Sequence, residues 1–127
     1  MRHILIIISF MLLASPLYGD SHIVKNHFGW ITSSGFQLKE FGDNNDHPIY
    51  NGEAENGKPN GHGSLIYRNG TRYVGEFKKG QWDGSGTLSF YNSEKWVGEF
   101  RKDAPWNITW YDKSGKIIAK WSDGVKQ

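Results

Sequence analysis

Along most of the chain, apolar and polar residues alternate with a period of two. Tyr73, Gly75 and Phe77 fall on one side of an extended segment, and Val74, Glu76 and Lys78 on the other, because successive side chains of a strand point to opposite faces. Leu88 and Phe90 share a face in the same way. Turn signals punctuate these segments. Asn69-Gly70, between Tyr67 and Tyr73, predicts a tight type I′ hairpin, since that turn needs positive φ at both central positions. Asn92-Ser93 holds the matching place further on, with weaker turn chemistry. Beyond the first nineteen residues no stretch carries the 3.6-residue period of an amphipathic helix. The pattern predicts an all-β chain, an elongated single-layer antiparallel meander of hairpins.

The first nineteen residues differ. Met1-Arg2-His3 leads into an apolar run from Ile4 to Ala14 broken only by Ser9, followed by Pro16 and by Gly19 just before Asp20. A short basic start, an apolar stretch of about 7–15 residues and a small-residue exit predict a cleaved signal peptide over 1–19. The run falls short of the roughly 20 apolar residues a membrane-spanning helix needs. No transmembrane helix is expected after its removal. A retained N-terminal anchor is the alternative. The expected destination is outside the cytoplasm, either periplasmic or secreted.

A repeat of 23 residues organises the rest. Tyr50-Asn51-Gly52-Glu53-Ala54, Tyr73-Val74-Gly75-Glu76-Phe77 and Trp96-Val97-Gly98-Glu99-Phe100 start successive units. Gly57 matches Gly80, Gly61 matches Gly84, Gly63 matches Gly86, Leu65 matches Leu88, and Tyr67 matches Phe90. The pattern Tyr-x-Gly-x-Phe, then Gly, then Gly-x-Gly, then Leu-x-Tyr resembles the MORN (membrane occupation and recognition nexus) repeat. This divides the chain into repeats at 50–72 and 73–95 and a degenerate third over 96–124, with Asp103, Asn107 and Thr109 where glycines are expected. The tail from Trp110 to Ile117 looks like a divergent MORN variant common in bacterial proteins, and the third unit is expected to serve as a cap. The resemblance implies a non-enzymatic interaction module, contacting a protein partner or an anionic membrane surface. Gly52, Gly75 and Gly98 are expected to make room for rings lying flat on the backbone, and Gly61-His62-Gly63 and Gly84-Ser85-Gly86 to be turn glycines.

Residues 20–49 lie outside the repeat. Phe28–Thr32 and Phe36–Leu38, around Ser33-Ser34-Gly35, predict a hairpin. Asp43 to Pro48 reads as a polar loop. The segment is expected to cover the sheet edge left by the first repeat.

Composition narrows the chemistry. With no Cys in 127 residues, disulfides, thiolate metal sites, thiol nucleophiles and a cysteine-linked lipid anchor are excluded. Fifteen basic and 13 acidic residues give a net charge of +2, too balanced to point to nucleic acid. Hydrophobic content is only 37%, yet 15% of residues are aromatic, including six Trp. That pairing predicts a thin structure filled by a few large rings.

No acid, base or nucleophile stands in a reactive sequence context, so no catalytic residue and no cofactor is assigned. Asp43, Asp46 and His47 share a loop but lack the converging ligands of a closed site, and no metal is assigned. Glu53, Glu76 and Glu99 read as a solvated row facing Lys and Arg. Arg68, Arg72, Lys78 and Lys79 mark basic hairpin ends, either solubilising or steering toward an anionic partner. The aromatic stripe Tyr50, Tyr73, Phe77, Phe90, Trp96 and Phe100 is the candidate binding face, with part of it serving as core. Two sequons, at Asn69 and Asn107, could carry glycans in a host that glycosylates. The competing reading is an accessory protein or enzyme of the cell envelope with a polar site in 20–49, built on His27, Asp46 and His47.

Overall fold

The computed structural model describes residues 21–127, so the predicted leader lies outside the described residues. These form strands and no helix. The strands are β1 (His22–Thr32), β2 (Gly35–Lys39), β3 (Ile49–Glu55), β4 (Lys58–Ile66), β5 (Arg72–Lys78), β6 (Gln81–Ser89), β7 (Lys95–Arg101), β8 (Ala104–Tyr111), β9 (Ile117–Ser122) and β10 (Val125–Lys126). All belong to one antiparallel sheet in the order β2-β1-β3-β4-β5-β6-β7-β8-β9-β10. From β3 onward it is a simple meander. The leading hairpin joins through β1, which pairs with β3 and leaves β2 outside.

The two ends of the sheet use different turns. Asn56-Gly57, Lys79-Gly80, Lys102-Asp103 and Asp123-Gly124 have positive φ at both residues, the type I′ pattern that matches strand twist. At the opposite end Gly70, Ser93 and Gly115 each close a longer loop as its positive-φ residue. The Tyr67 N–H bonds the Thr71 carbonyl at 2.8 Å, leaving Arg68, Asn69 and Gly70 between them. Asn69-Gly70 is therefore not a type I′ turn. With three residues in the loop, only the third needs the left-handed region.

The tight turns are tied to the repeat before them. Gly80 N–H bonds the Pro59 carbonyl at 2.8 Å, Asp103 N–H that of Trp82 at 3.0 Å, and Gly124 N–H that of Trp106 at 2.8 Å. Asn60 and Asn107 side chains accept from the Lys79 and Asp123 N–H groups, each at 3.0 Å. The turns thus form a hydrogen-bonded row along one end of the sheet.

Within each matched repeat the hairpin carries a bulge. Gly75 faces Gly86 and Phe77 faces Trp82, so β6 spends four residues where β5 spends two. Gly84 stands in this bulge with φ +107, and Gly61 in the equivalent bulge of β4 with φ +100. The Glu76 carboxylate fills the opening and accepts the Ser85 N–H at 2.8 Å, as Glu53 does for His62 at 2.5 Å. Two expectations need correcting. Gly61, Gly63, Gly84 and Gly86 are strand residues rather than turn glycines, and Glu53 and Glu76 serve the bulge backbone rather than facing Lys and Arg.

One face, called inner below, carries the core. Tyr50, Tyr73 and Phe100 are fully buried, with Val24, Ala54, Leu65, Phe77, Leu88 and Ile108 around them. The Tyr50 ring lies over Gly63 and that of Tyr73 over Gly86, where any Cβ would collide with them. Gly52, Gly75 and Gly98 act differently from expectation, since a Cβ there would first strike the facing backbone of β4, β6 or β8, with the Tyr50 and Tyr73 hydroxyls next nearest at Gly52 and Gly75. The third unit breaks the scheme because Ile108, not glycine, faces Gly98. A ring cannot lie flat there. Trp96 instead packs with Phe90, Trp110 and Trp121 at centroid distances of 4.9–6.1 Å, and its indole nitrogen is buried with no hydrogen-bond partner among the described residues.

Candidate functional site: an aromatic cleft on the inner face

The β1–β2 hairpin curls toward the tight-turn end. Leu38 N–H bonds the Gly57 carbonyl at 2.7 Å, and the Lys58 ammonium bonds the Ser34 carbonyl at 2.6 Å. Between this hairpin and the sheet lies a cleft of about 560 Å³ with Phe36, Tyr67 and Trp82 among its lining residues. Such a volume falls within the roughly 300–1,000 Å³ typical of ligand sites. All three rings are only partly buried against the core. Trp82 is held by stacking on Tyr73 at 5.0 Å and 10°, while Tyr67 meets it edge-on at 6.3 Å. The rings are thus fixed from below and open above.

Three charged side chains line the cleft: Lys58, Lys79 and Asp103. Asp103 accepts the Trp82 N–H at 2.8 Å. Its partial burial raises the carboxyl pKa above the usual range, partly offset by hydrogen bonds from the Trp82 backbone and the Gln81 side chain. Burial also pushes the Tyr67 phenol up to about 12, with the nearby Asp103 charge adding to the effect and a Trp82 hydrogen bond opposing it. Lys79 uses its backbone N–H on Asn60. Its ammonium has no hydrogen-bond or ion-pair partner among the described residues.

The candidate residues read from sequence are scattered by this geometry. Tyr50, Tyr73, Phe77 and Phe100 are core, 4% exposed or less, so they cannot form a binding face. Only Phe90 and Trp96 of that stripe stay partly exposed. Arg68 and Arg72 lie at the long-loop end, Lys78 and Lys79 at the tight-turn end. A seven-residue strand separates them, roughly 20 Å, so the four do not make one basic patch.

His27, Asp46 and His47 do not converge either. The His27 ring bonds the Lys25 carbonyl, while His47 stacks on Trp30 at 3.9 Å and accepts the Asp43 N–H at 2.9 Å. No group of three His, Asp or Glu residues among the described residues is arranged to hold a metal. Phe36 and Trp82 were missed because their approach to Tyr67 depends on hairpin curl and on packing between repeats, which no local pattern reports.

Two units coincide in their bulge, tyrosine and glycine row. A family model for the MORN repeat matches residues 50–72 and 73–95. The chain carries two MORN repeats. MORN repeats generally serve as protein or membrane interaction modules, and the family is typically non-enzymatic. Comparison with curated proteins gave no match. In MORN terms, Tyr67 closes the first repeat and Trp82 opens the second hairpin strand of the next. The cleft therefore straddles a repeat boundary. No helix among the described residues is long and apolar enough to cross a membrane.

Proposed function

We propose that the protein is an exported, non-enzymatic MORN scaffold that holds an extended segment of a protein partner in the inner cleft. The observation that carries this is the set of three partly exposed rings, Phe36, Tyr67 and Trp82, around one concave space. Aromatic anchors in preformed pockets commonly dominate interface energy. Trp82 is immobilised by Tyr73 and by Asp103, so little ordering entropy is lost when a partner docks. The export assignment rests on the leader pattern of residues 1–19. A protein partner is favoured over a membrane because the basic side chains are divided between opposite ends of the sheet and do not form one plane of charge.

A photo-crosslinking side chain at Gln81, on the cleft, should yield a covalent adduct in the native compartment. The same group at Val74, on the outer face, should not. Adducts from Val74 alone would move the interaction to the other face. Intact mass or N-terminal sequencing of the exported chain should give a start near Asp20, and a start at Met1 in a membrane fraction would remove the export assignment.

A further inference from the structure

We infer that the segment the inner cleft takes is acidic, presenting a carboxylate to the Lys79 ammonium beside a bulky apolar side chain seated against Phe36 and Tyr67. This rests on the reading above that the cleft is the binding site. It follows from which charges remain available. Lys58 is committed to the Ser34 carbonyl at 2.6 Å, and Asp103 to the Trp82 N–H at 2.8 Å. Lys79 alone among the three lining charges has no partner among the described residues. An incoming carboxylate finds a counter-ion there, whereas an incoming ammonium meets like charge.

Lys79 also occupies a costly backbone position. Its φ is +51 in the first place of a type I′ turn, where the first repeat has Asn56 at φ +53. Asn-Gly is the favoured pair for this turn, and a long side chain is disfavoured in the left-handed region. Lys102 takes the matching place in the third tight turn at φ +48 without lining the cleft, so what sets Lys79 apart is its place in the cleft lining. An extended segment suits the shape, because the lining runs across the repeat boundary from Lys58 through Gly80 to Asp103.

The test uses the full chain and two fluorescein-labelled synthetic peptides of equal length, one alternating Leu and Glu, the other Leu and Lys, read by fluorescence anisotropy. The acidic peptide should bind about five- to tenfold more tightly, and added salt should narrow the gap. Lys79→Glu should abolish or reverse that preference, with circular dichroism confirming the fold, and Lys79→Gln should lose most of it without adding a charge. Phe36→Ser or Tyr67→Ser should weaken both peptides. A preference unchanged by Lys79→Glu, alongside binding that still needs Phe36 and Tyr67, overturns the acidic inference and leaves the cleft standing. Binding indifferent to Phe36 and Tyr67 overturns the cleft itself. Failure of both peptides to bind at millimolar concentration overturns the acidic-peptide inference, and crosslinking from Gln81 then decides whether the cleft survives.

Discussion

The ring of Tyr73 lies over Gly86 on the neighbouring strand, and its hydroxyl closes onto the Glu76 carbonyl at 2.7 Å. Tyr50 repeats the arrangement over Gly63, with its hydroxyl on the Glu53 carbonyl. A fully buried phenol would otherwise leave a polar group unsatisfied. Because the acceptor is three residues along its own strand, the ring is directed across the backbone of the facing strand rather than away from the sheet. Only glycine leaves the required space. One residue pair thus explains why a sheet of few aliphatic residues can still be well packed.

Gly86→Ala should destabilise the protein by about 1–3 kcal/mol, the usual cost of overpacking, and Gly63→Ala should cost a similar amount. Gly115→Asn is the control. Its φ is +88 and nothing lies within 4 Å of an added Cβ, and asparagine tolerates the left-handed region. Thermal melts of the three variants check this. A melting temperature for Gly86→Ala equal to that of the control would show that Tyr73 does not rest there.

Glu76→Ala should cost about 1 kcal/mol by removing the acceptor for the Ser85 N–H. Water reaches the exposed Ser85 and limits the loss. Glu76→Gln keeps an acceptor oxygen and should cost less. If both variants melt like the parent protein, the carboxylate does not hold the bulge.

The period-two pattern and the 23-residue spacing made the strands of the two matched repeats legible, because alternation and turn glycines are local signals. Tyr73, Gly75 and Phe77 share the inner face as the alternation requires. The bulges were not legible. Their cause is Glu76 bonding across to Ser85, nine residues away, and spacing alone does not distinguish that glutamate from a solvated one. The third unit misled for another reason. Counting 23 residues from Gly86 leads to Thr109, yet the residue facing Gly98 is Ile108. A one-residue shortening of the bulge shifts the register, and Trp96 is displaced as a result. The cleft was least legible, since Phe36 and Trp82 lie far apart in sequence and come to line one space only through hairpin curl.

Alkaline pH should unfold the protein in step with tyrosine ionisation. Burial raises the Tyr50 and Tyr73 phenols well above 10.0, with the nearby Glu53 and Glu76 charges adding to the effect respectively, and Tyr67 rises to about 12. An acid whose pKa is raised by folding keeps its proton in the folded state while the unfolded chain loses it. Stability is therefore full below about pH 10 and falls as pH climbs beyond it. Tyrosinate absorbance and circular dichroism followed together should show the buried phenols ionising with loss of the sheet. Complete ionisation of the described tyrosines with the sheet intact would contradict their burial.

Lys79→Asn should stabilise the fold while weakening capture of an acidic peptide. The variant turns Lys79-Gly80 into Asn-Gly, the pair already used at Asn56-Gly57 and the one best suited to positive φ at both positions. The hydrogen bond from the residue 79 backbone N–H to Asn60 at 3.0 Å does not depend on the side chain and should persist. Relief of left-handed strain should contribute about 0.5–1 kcal/mol, or roughly 2–6 °C in melting temperature for a domain of this size. The ammonium is lost in the same step, so the preference of the Leu–Glu over the Leu–Lys peptide should shrink toward parity. A gain in stability with the preference intact would mean that Lys79 is only a poor turn residue. A loss of preference without stabilisation would show that asparagine gains nothing at φ +51, and that the first position of this turn is set by packing against Asn60 rather than by backbone strain.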